Sequence, residues 1–241
     1  MKWILPVCVF ISLALTAIAG SLPRKEAYET SLTARFAQQG VSPDATSRAL
    51  QYLKTKTHRS KFMVIVDYSK PSTEKRLYLM NLVTGDVEKH FVAHGKNSGV
   101  RWATRFSNIP DSKQNSLGLA ITEKTYVGFH GRSLRLLGVE KSNSLMKPRL
   151  IVLHGASYVS DTFLNTHGRL GRSWGCLTVS KDVIDRLIDK LTPGSLVYSY
   201  HPALMSQLAS TPHFQQLEDL NITDDADIDL PGEEEDLQSQ K

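Results

Sequence analysis

The run Gly171-Arg172-Ser173-Trp174-Gly175-Cys176-Leu177-Thr178 contains one of the two cysteines of the chain. The other, Cys8, falls in an N-terminal stretch that reads as a removable export signal. With that signal cut, an exported protein keeps a single thiol and has no partner in its own chain for a disulfide. Such a thiol is idle core, an intermolecular bridge or a reactive group. A preceding glycine, with arginine, serine and tryptophan alongside, does not suit idle core. The sequence therefore predicts a nucleophile at Cys176.

A cysteine nucleophile needs a base and donors for an oxyanion. Of the eight histidines, four precede glycine: His94, His130, His154 and His167. Each taken alone is equally well an ordinary hydrogen-bonded side chain. His154 is the best candidate base. It follows the apolar run Leu150-Ile151-Val152-Leu153, which reads as a strand, and Gly155 lets substrate or neighbouring backbone come close. His130 also follows a strand-like run and is expected to line the pocket. His167 is expected in a glycine-rich loop closer to Cys176, where it would touch substrate or equally take part in catalysis. Gly175 frees the backbone to turn before the nucleophile, so amides around Trp174 to Cys176 can meet an oxyanion. Ser173 can orient that turn. Arg172 and Arg169 are candidates to bind a carboxylate, or else belong to a solvated basic face.

These side chains need a rigid support. Phe62–Val66 and Leu77–Met80 read as strands, Val87–Ala93 as a third, and the short turns between them imply an antiparallel meander. Lys96–Ser116 reads as a long polar loop. Leu117–Phe129 and Arg149–Leu153 are further strand candidates, with a mixed basic stretch, Ser133–Ser144, between them. Ser180–Leu191 is the clearest helix, with Ser180 as N-cap and one apolar stripe. Ser195–Tyr200 reads as a last strand. Because this helix follows Cys176, its positive end is expected near the thiol. The fold class is mainly β with flanking helices. The divisions are a signal peptide over 1–19, a helical N-terminal extension over 20–60, a catalytic domain over 61–201 and an acidic tail over 202–241 that reads as disordered. Asp44 is expected to cap a helix in the extension, which would brace or cover the domain.

Charge is divided unevenly. Gly20–Leu217 has 27 basic and 14 acidic residues, a net +13, whereas Glu218–Lys241 has ten acids and one lysine, a net −9. The body would attract a polyanion, and the tail would shield or compete for it. Charge alone admits nucleic acid, an anionic wall or a membrane surface. The N-terminal apolar run falls short of the roughly 20 residues that span a bilayer. Cleavage would therefore leave no stable membrane insertion.

Several ordered blocks carry a resemblance. Ser173-x-Gly175-Cys176 with His154-Gly155 upstream resembles the catalytic signature of the L,D-transpeptidase (YkuD-like) family. Phe106-Ser107-Asn108, Ser116-Leu117-Gly118, Tyr126-Val127-Gly128-Phe129-His130-Gly131, Ser133-Leu134-Arg135-Leu136 and Ile151 to Ala156 with Tyr158-Val159 look like the murein L,D-transpeptidase branch of Gram-negative bacteria. Trp174 stands where better-studied relatives have histidine, and Thr178 where they have arginine or asparagine. The resemblance implies a β-sandwich-like catalytic domain in the periplasm. It implies acyl transfer on peptidoglycan stem peptides, with no nucleic acid partner. Cys176 would be the nucleophile and His154 the base, with Ser173, Trp174 and Gly175 shaping the turn. Arg172, His130, Tyr158, His167 and Arg169 would contact substrate. Neither metal nor organic cofactor is implied. It also leads to an expectation of carbapenem sensitivity. Water could replace the acceptor amine, giving an L,D-carboxypeptidase or endopeptidase. A zinc site built from the four glycine-flanked histidines and Cys176 has no compact ligand spacing to support it. An inactive peptidoglycan-binding relative is the remaining alternative.

Overall fold

The computed structural model of the protein describes residues 24–55, 60–191 and 193–202. The expected signal peptide over 1–19 and the expected tail beyond residue 202 lie outside them. Two helices come first, α1 (Arg24–Gln38) and α2 (Pro43–Lys54). Ser42, not Asp44, is the N-cap of α2, its side chain accepting from the Ala45 amide, and Asp44 sits in the first turn. Both residue types cap helices well, but Pro43 fixes a backbone angle suited to the first helical position, so the cap falls before it.

Eight strands follow, joined in one mixed sheet of order β3-β2-β1-β8-β4-β5-β6-β7. β1 (Phe62–Asp67), β2 (Leu77–Asn81) and β3 (Val87–His90) form the expected antiparallel meander. β8 (Leu196–Tyr200) pairs parallel with β1 and antiparallel with β4 (Gly118–Gly128). β1 and β8 are almost wholly buried, as their continuous apolar runs require. β5 (Gly131–Gly138) completes a long hairpin with β4. The sequence reading missed β5, because Arg132 and Arg135 mask its alternation of buried and half-exposed positions. β6 is Val152–Ala156, so it starts three residues later than the expected strand Arg149–Leu153.

Two further elements connect β6 to the end of the domain. Helix α3 (Asp161–His167) fills the gap before β7 (Leu177–Ser180), and α4 (Lys181–Lys190) follows with Ser180 as its cap. Beyond β3 the chain crosses to the opposite end of the sheet, where Ala93 bridges Thr178 and Gly95 bridges Ser173. The two sheet edges are thereby brought together at the cysteine turn.

The extension is part of the core. Leu32, Phe36, Ala45, Ala49 and Leu50 join strand residues such as Val64, Tyr198 and Leu119 in one buried cluster. Arg48 of α2 also forms an ion pair with Glu140, whose carboxylate receives the Leu119 amide at 2.6 Å. Glu140 is 5% exposed. Replacing Arg48 with Ala leaves a buried carboxylate without its cation, a change that costs about 3 kcal/mol. The expected result in calorimetry is a Tm lower by roughly 6–12 °C. A Tm unchanged within error would show that the extension does not brace the domain through this pair.

Candidate active site

The β6–β7 pairing fixes the site. It is parallel, with Leu153 opposite Leu177 and His154 opposite Thr178. Side chains alternate along strands, so His154, Thr178 and the preceding Cys176 lie on one face. His154 sits mid-strand and is fully buried, whereas Cys176 is partly exposed. Gly155, on the opposite face, makes room for α4: a Cβ there would come within 2.8 Å of Ile184 Cγ2 and 3.2 Å of Lys181 Cα. Of the two roles open to this glycine, the structure shows close packing of neighbouring backbone.

The hydrogen bonds of His154 favour one tautomer. Its Nδ1 lies 3.3 Å from the Gly155 carbonyl, and its Nε2 lies 3.0 Å from Thr178 Oγ1. A carbonyl only accepts, so the proton belongs on Nδ1, which leaves Nε2 as the basic nitrogen. Thr178 then donates to Nε2 and accepts from the Tyr158 hydroxyl at 3.4 Å. The ring of His130, in the β4–β5 turn, stacks on His154 with centroids 4.1 Å apart. The thiol of Cys176 faces the Leu150 carbonyl at 3.6 Å. Leu150 adopts φ +57°, which is unusual for a side chain of its size, and this aims its carbonyl.

The turn before Cys176 is clamped from behind. Gly175 adopts φ +119°, where glycine is favoured, and a Cβ there would be 2.7 Å from the Gln114 carbonyl. Ser173 Oγ donates to the Cys176 carbonyl at 2.8 Å and accepts from the Gly175 amide at 3.2 Å. Asn115, fully buried, donates from Nδ2 to the Gly175 carbonyl at 2.9 Å, and its Oδ1 accepts from the Gly95 amide at 2.7 Å. A trans peptide sets N–H opposite C=O. Holding the Gly175 carbonyl towards Asn115 therefore turns the Cys176 amide the other way, where a developing oxyanion can be met. Trp174 is 37% exposed, with Lys113 Nζ 3.8 Å from its ring centroid.

The remaining predicted contacts divide. Tyr158 reaches the site through Thr178. Arg172 donates from Nη1 to the carbonyls of Lys96 and Gly99, at 3.1 and 3.3 Å, and so anchors the long loop. Arg169 donates to the Leu170 carbonyl at 2.9 Å. His167 is at the end of α3 and not in a loop; its ring stacks on Phe163 with centroids 4.0 Å apart. Nor is Cys176 at a helix N-terminus. All of β7 separates it from α4, a run of about 16 Å at strand rise. Among the described residues no group of three or more His, Cys, Asp and Glu is placed to hold a metal ion.

Charge reaches the thiol from elsewhere. Arg149 donates to the Ser107 and Gln114 carbonyls and the Ser112 and Ser116 hydroxyls, all between 2.6 and 3.1 Å. Its Nη2 is 3.3 Å from where a Gly175 Cβ would sit. Burial lowers the Arg149 pKa, and attraction to the Cys176 thiolate and to Asp111 opposes this. Burial raises the Tyr126 pKa, and the Cys176 charge raises it further. Asn115 and Arg149 escaped the sequence reading, since neither forms a local motif with the cysteine. Thr178 was visible there only as a departure from the family pattern.

Comparison with known proteins now decides the family. A family model described as L,D-transpeptidase catalytic domain (YkuD_2) matches residues 37–200, well over half of the chain. The chain belongs to that family. The match begins within α1, so α2 falls inside it. Among solved structures, the chain is similar to the L,D-transpeptidase from Mycobacterium smegmatis, at 12% identity over 59% of each chain and a TM-score of 0.37. The L,D-transpeptidase from Xylanimonas cellulosilytica matches at 16% identity over 60% of this chain and 63% of that one, with TM-score 0.35. That from Stackebrandtia nassauensis matches at 14% identity over 66% and 65%, also with TM-score 0.35. Each match spans less than two thirds of the solved chain. Among curated proteins no match is found.

Two outcomes follow from this geometry. Arg149→Met removes a cation from beside the thiolate and should slow iodoacetamide alkylation of Cys176 at pH 7 by roughly three- to tenfold, with Arg149→Lys intermediate. An unchanged rate in the Met variant would contradict that role. The second concerns His94, whose carbonyl accepts from the Ser173 amide at 3.0 Å. Burial, and then the nearby Arg76 guanidinium, hold the His94 pKa down at about 3. The unfolded chain therefore binds the extra proton first. The stability from neutral His94 is full above about pH 6.5 and is lost towards pH 3, at up to about 1.4 kcal/mol per unit. The wild-type Tm should fall more steeply than that of His94→Gln between pH 6.5 and 4.5, and parallel curves would exclude His94 as the cause.

Proposed function

We propose that this chain is an exported cysteine acyltransferase that remodels peptidoglycan, forming cross-links between two diamino acids in the periplasm of a Gram-negative cell. The observation that supports this most is the β6–β7 register, which puts Cys176 and His154 on one face beside a clamped turn. Cys176 Sγ attacks the carbonyl of the diamino acid in a stem tetrapeptide, and His154 Nε2 takes the thiol proton. The oxyanion meets the Cys176 amide. The intermediate collapses to a thioester, and D-alanine leaves with the proton returned by His154. The amine of a second stem then attacks the thioester, giving a 3–3 cross-link and restoring the thiol. Peptidoglycan carboxylates suit the net +13 of residues 20–217. Export rests on the N-terminal sequence.

The test is mass spectrometry of purified muropeptides after incubation with the protein. Dimers joined between two diamino acids, with free D-alanine, are expected. Tripeptides and D-alanine without dimers would make it an L,D-carboxypeptidase, and no change would sink the proposal. Cys176→Ala should lose both turnover and covalent labelling by a carbapenem. His154→Ala should slow acylation by about a hundredfold or more, the usual range for a general base. Near-normal acylation in that variant would remove His154 from the role.

A further inference from the structure

Beside the nucleophile lies a cleft that the mechanism has not used. It is lined by Tyr126 of β4, Arg135 and Leu136 of β5, Lys147, and Leu150 to Val152 leading into β6. Neither Cys176 nor His154 lines it; the link to the nucleophile is Leu150, which supplies the carbonyl that the thiol faces. Ile151 Cδ1 lies 3.1 Å from where a Gly175 Cβ would be. The charge of Cys176 is also felt at Tyr126, so the cleft and the reacting sulfur share one electrostatic environment.

Its charged groups are not balanced. Lys147 Nζ pairs with Glu123 Oε1 at 3.2 Å. The Arg135 guanidinium lies over the Tyr126 ring, 5.0 Å from its centroid, and among the described residues it has no carboxylate partner. One positive charge is therefore in surplus, held over an aromatic face, and a guanidinium suits a planar acceptor. The volume open to water is about 30 Å³, roughly two water positions, which is the space the two oxygens of a carboxylate need. A neutral or cationic group would leave the surplus charge unanswered.

We propose that this cleft binds the free carboxylate at the end of the acyl donor's side chain, with Arg135 as its principal partner and Lys147 as a second. The assignment rests on the peptidoglycan reading above and deepens it. The residue whose carbonyl meets Cys176 projects its side chain past Leu150 into the cleft. Its terminal carboxylate sits against Arg135, so the site selects donors that carry this charge. Neither Arg169 nor Arg172 supplies it, because Arg172 holds the long loop and Arg169 bonds the backbone beside it.

The experiment compares two disaccharide tetrapeptides, one with the free side-chain carboxylate of diaminopimelic acid and one with that carboxylate amidated. D-Alanine release is measured with wild-type protein, Arg135→Gln and Arg135→Lys. The wild type should prefer the free acid. In Arg135→Gln the ratio of kcat/KM for acid over amide should fall at least tenfold, as loss of a charge-assisted hydrogen bond implies. Arg135→Lys should recover part of the ratio. Equal losses on both substrates, or an unchanged ratio, would overturn the assignment. If wild-type protein turns over neither substrate, the acyltransfer reading fails by itself. The subsite is then judged by calorimetry on Cys176→Ala with the same two compounds. Tighter binding of the acid, abolished by adding Arg135→Gln, retains the subsite, and equal binding rejects it.

Discussion

The parallel pairing of β6 with β7 is the constraint on which the site depends. A slip of one residue would send either His154 or Cys176 to the opposite face of the sheet. The register is held on both sides. Gly155 lets α4 pack closely on β6, and the segment that crosses beyond β3 pins β7 through the Ala93–Thr178 bridge. His154 is mid-strand, and Cys176 is one residue outside its strand.

The long loop over residues 95–116 has a structural task. Asn115 and the Gln114 carbonyl back the nucleophile turn, and Arg149 ties the same loop to the approach to β6. Arg172 closes the arrangement from the other side through Lys96 and Gly99. Buried polar networks of this kind hold position well because each lost bond leaves a costly unpaired group. Lone charges near the thiol, not a helix end, set its electrostatic surroundings. Arg149 attracts the thiolate, and Tyr126 stays protonated beside it.

What the sequence revealed follows from how local each signal was. The strands β1, β2 and β8 are continuous apolar runs, and α4 has a cap and a stripe within ten residues, so all were legible. Cys176 and His154 were legible as candidates because a lone thiol after glycine and a histidine following an apolar run stand out within a few residues. β5 was not, since Arg132 and Arg135 interrupt its pattern. α3 buries no residue and so has no apolar stripe to read. The roles of Asn115, Arg149 and Thr178 arise from contacts across 20 to 61 positions. No window of sequence contains both partners of such a contact. The apolar run before His154 set the strand start too early because Leu150 turns out of line with a positive φ.

The account stands on a covalent bond between Cys176 and a donor stem. The most direct measurement is intact-protein mass spectrometry after rapid quenching with a disaccharide tetrapeptide, followed by peptide mapping. The predicted result is an added mass equal to the donor less D-alanine, located on Cys176 and absent from Cys176→Ala. An adduct on another residue, or turnover of the donor with an unmodified thiol at every time point, would contradict it.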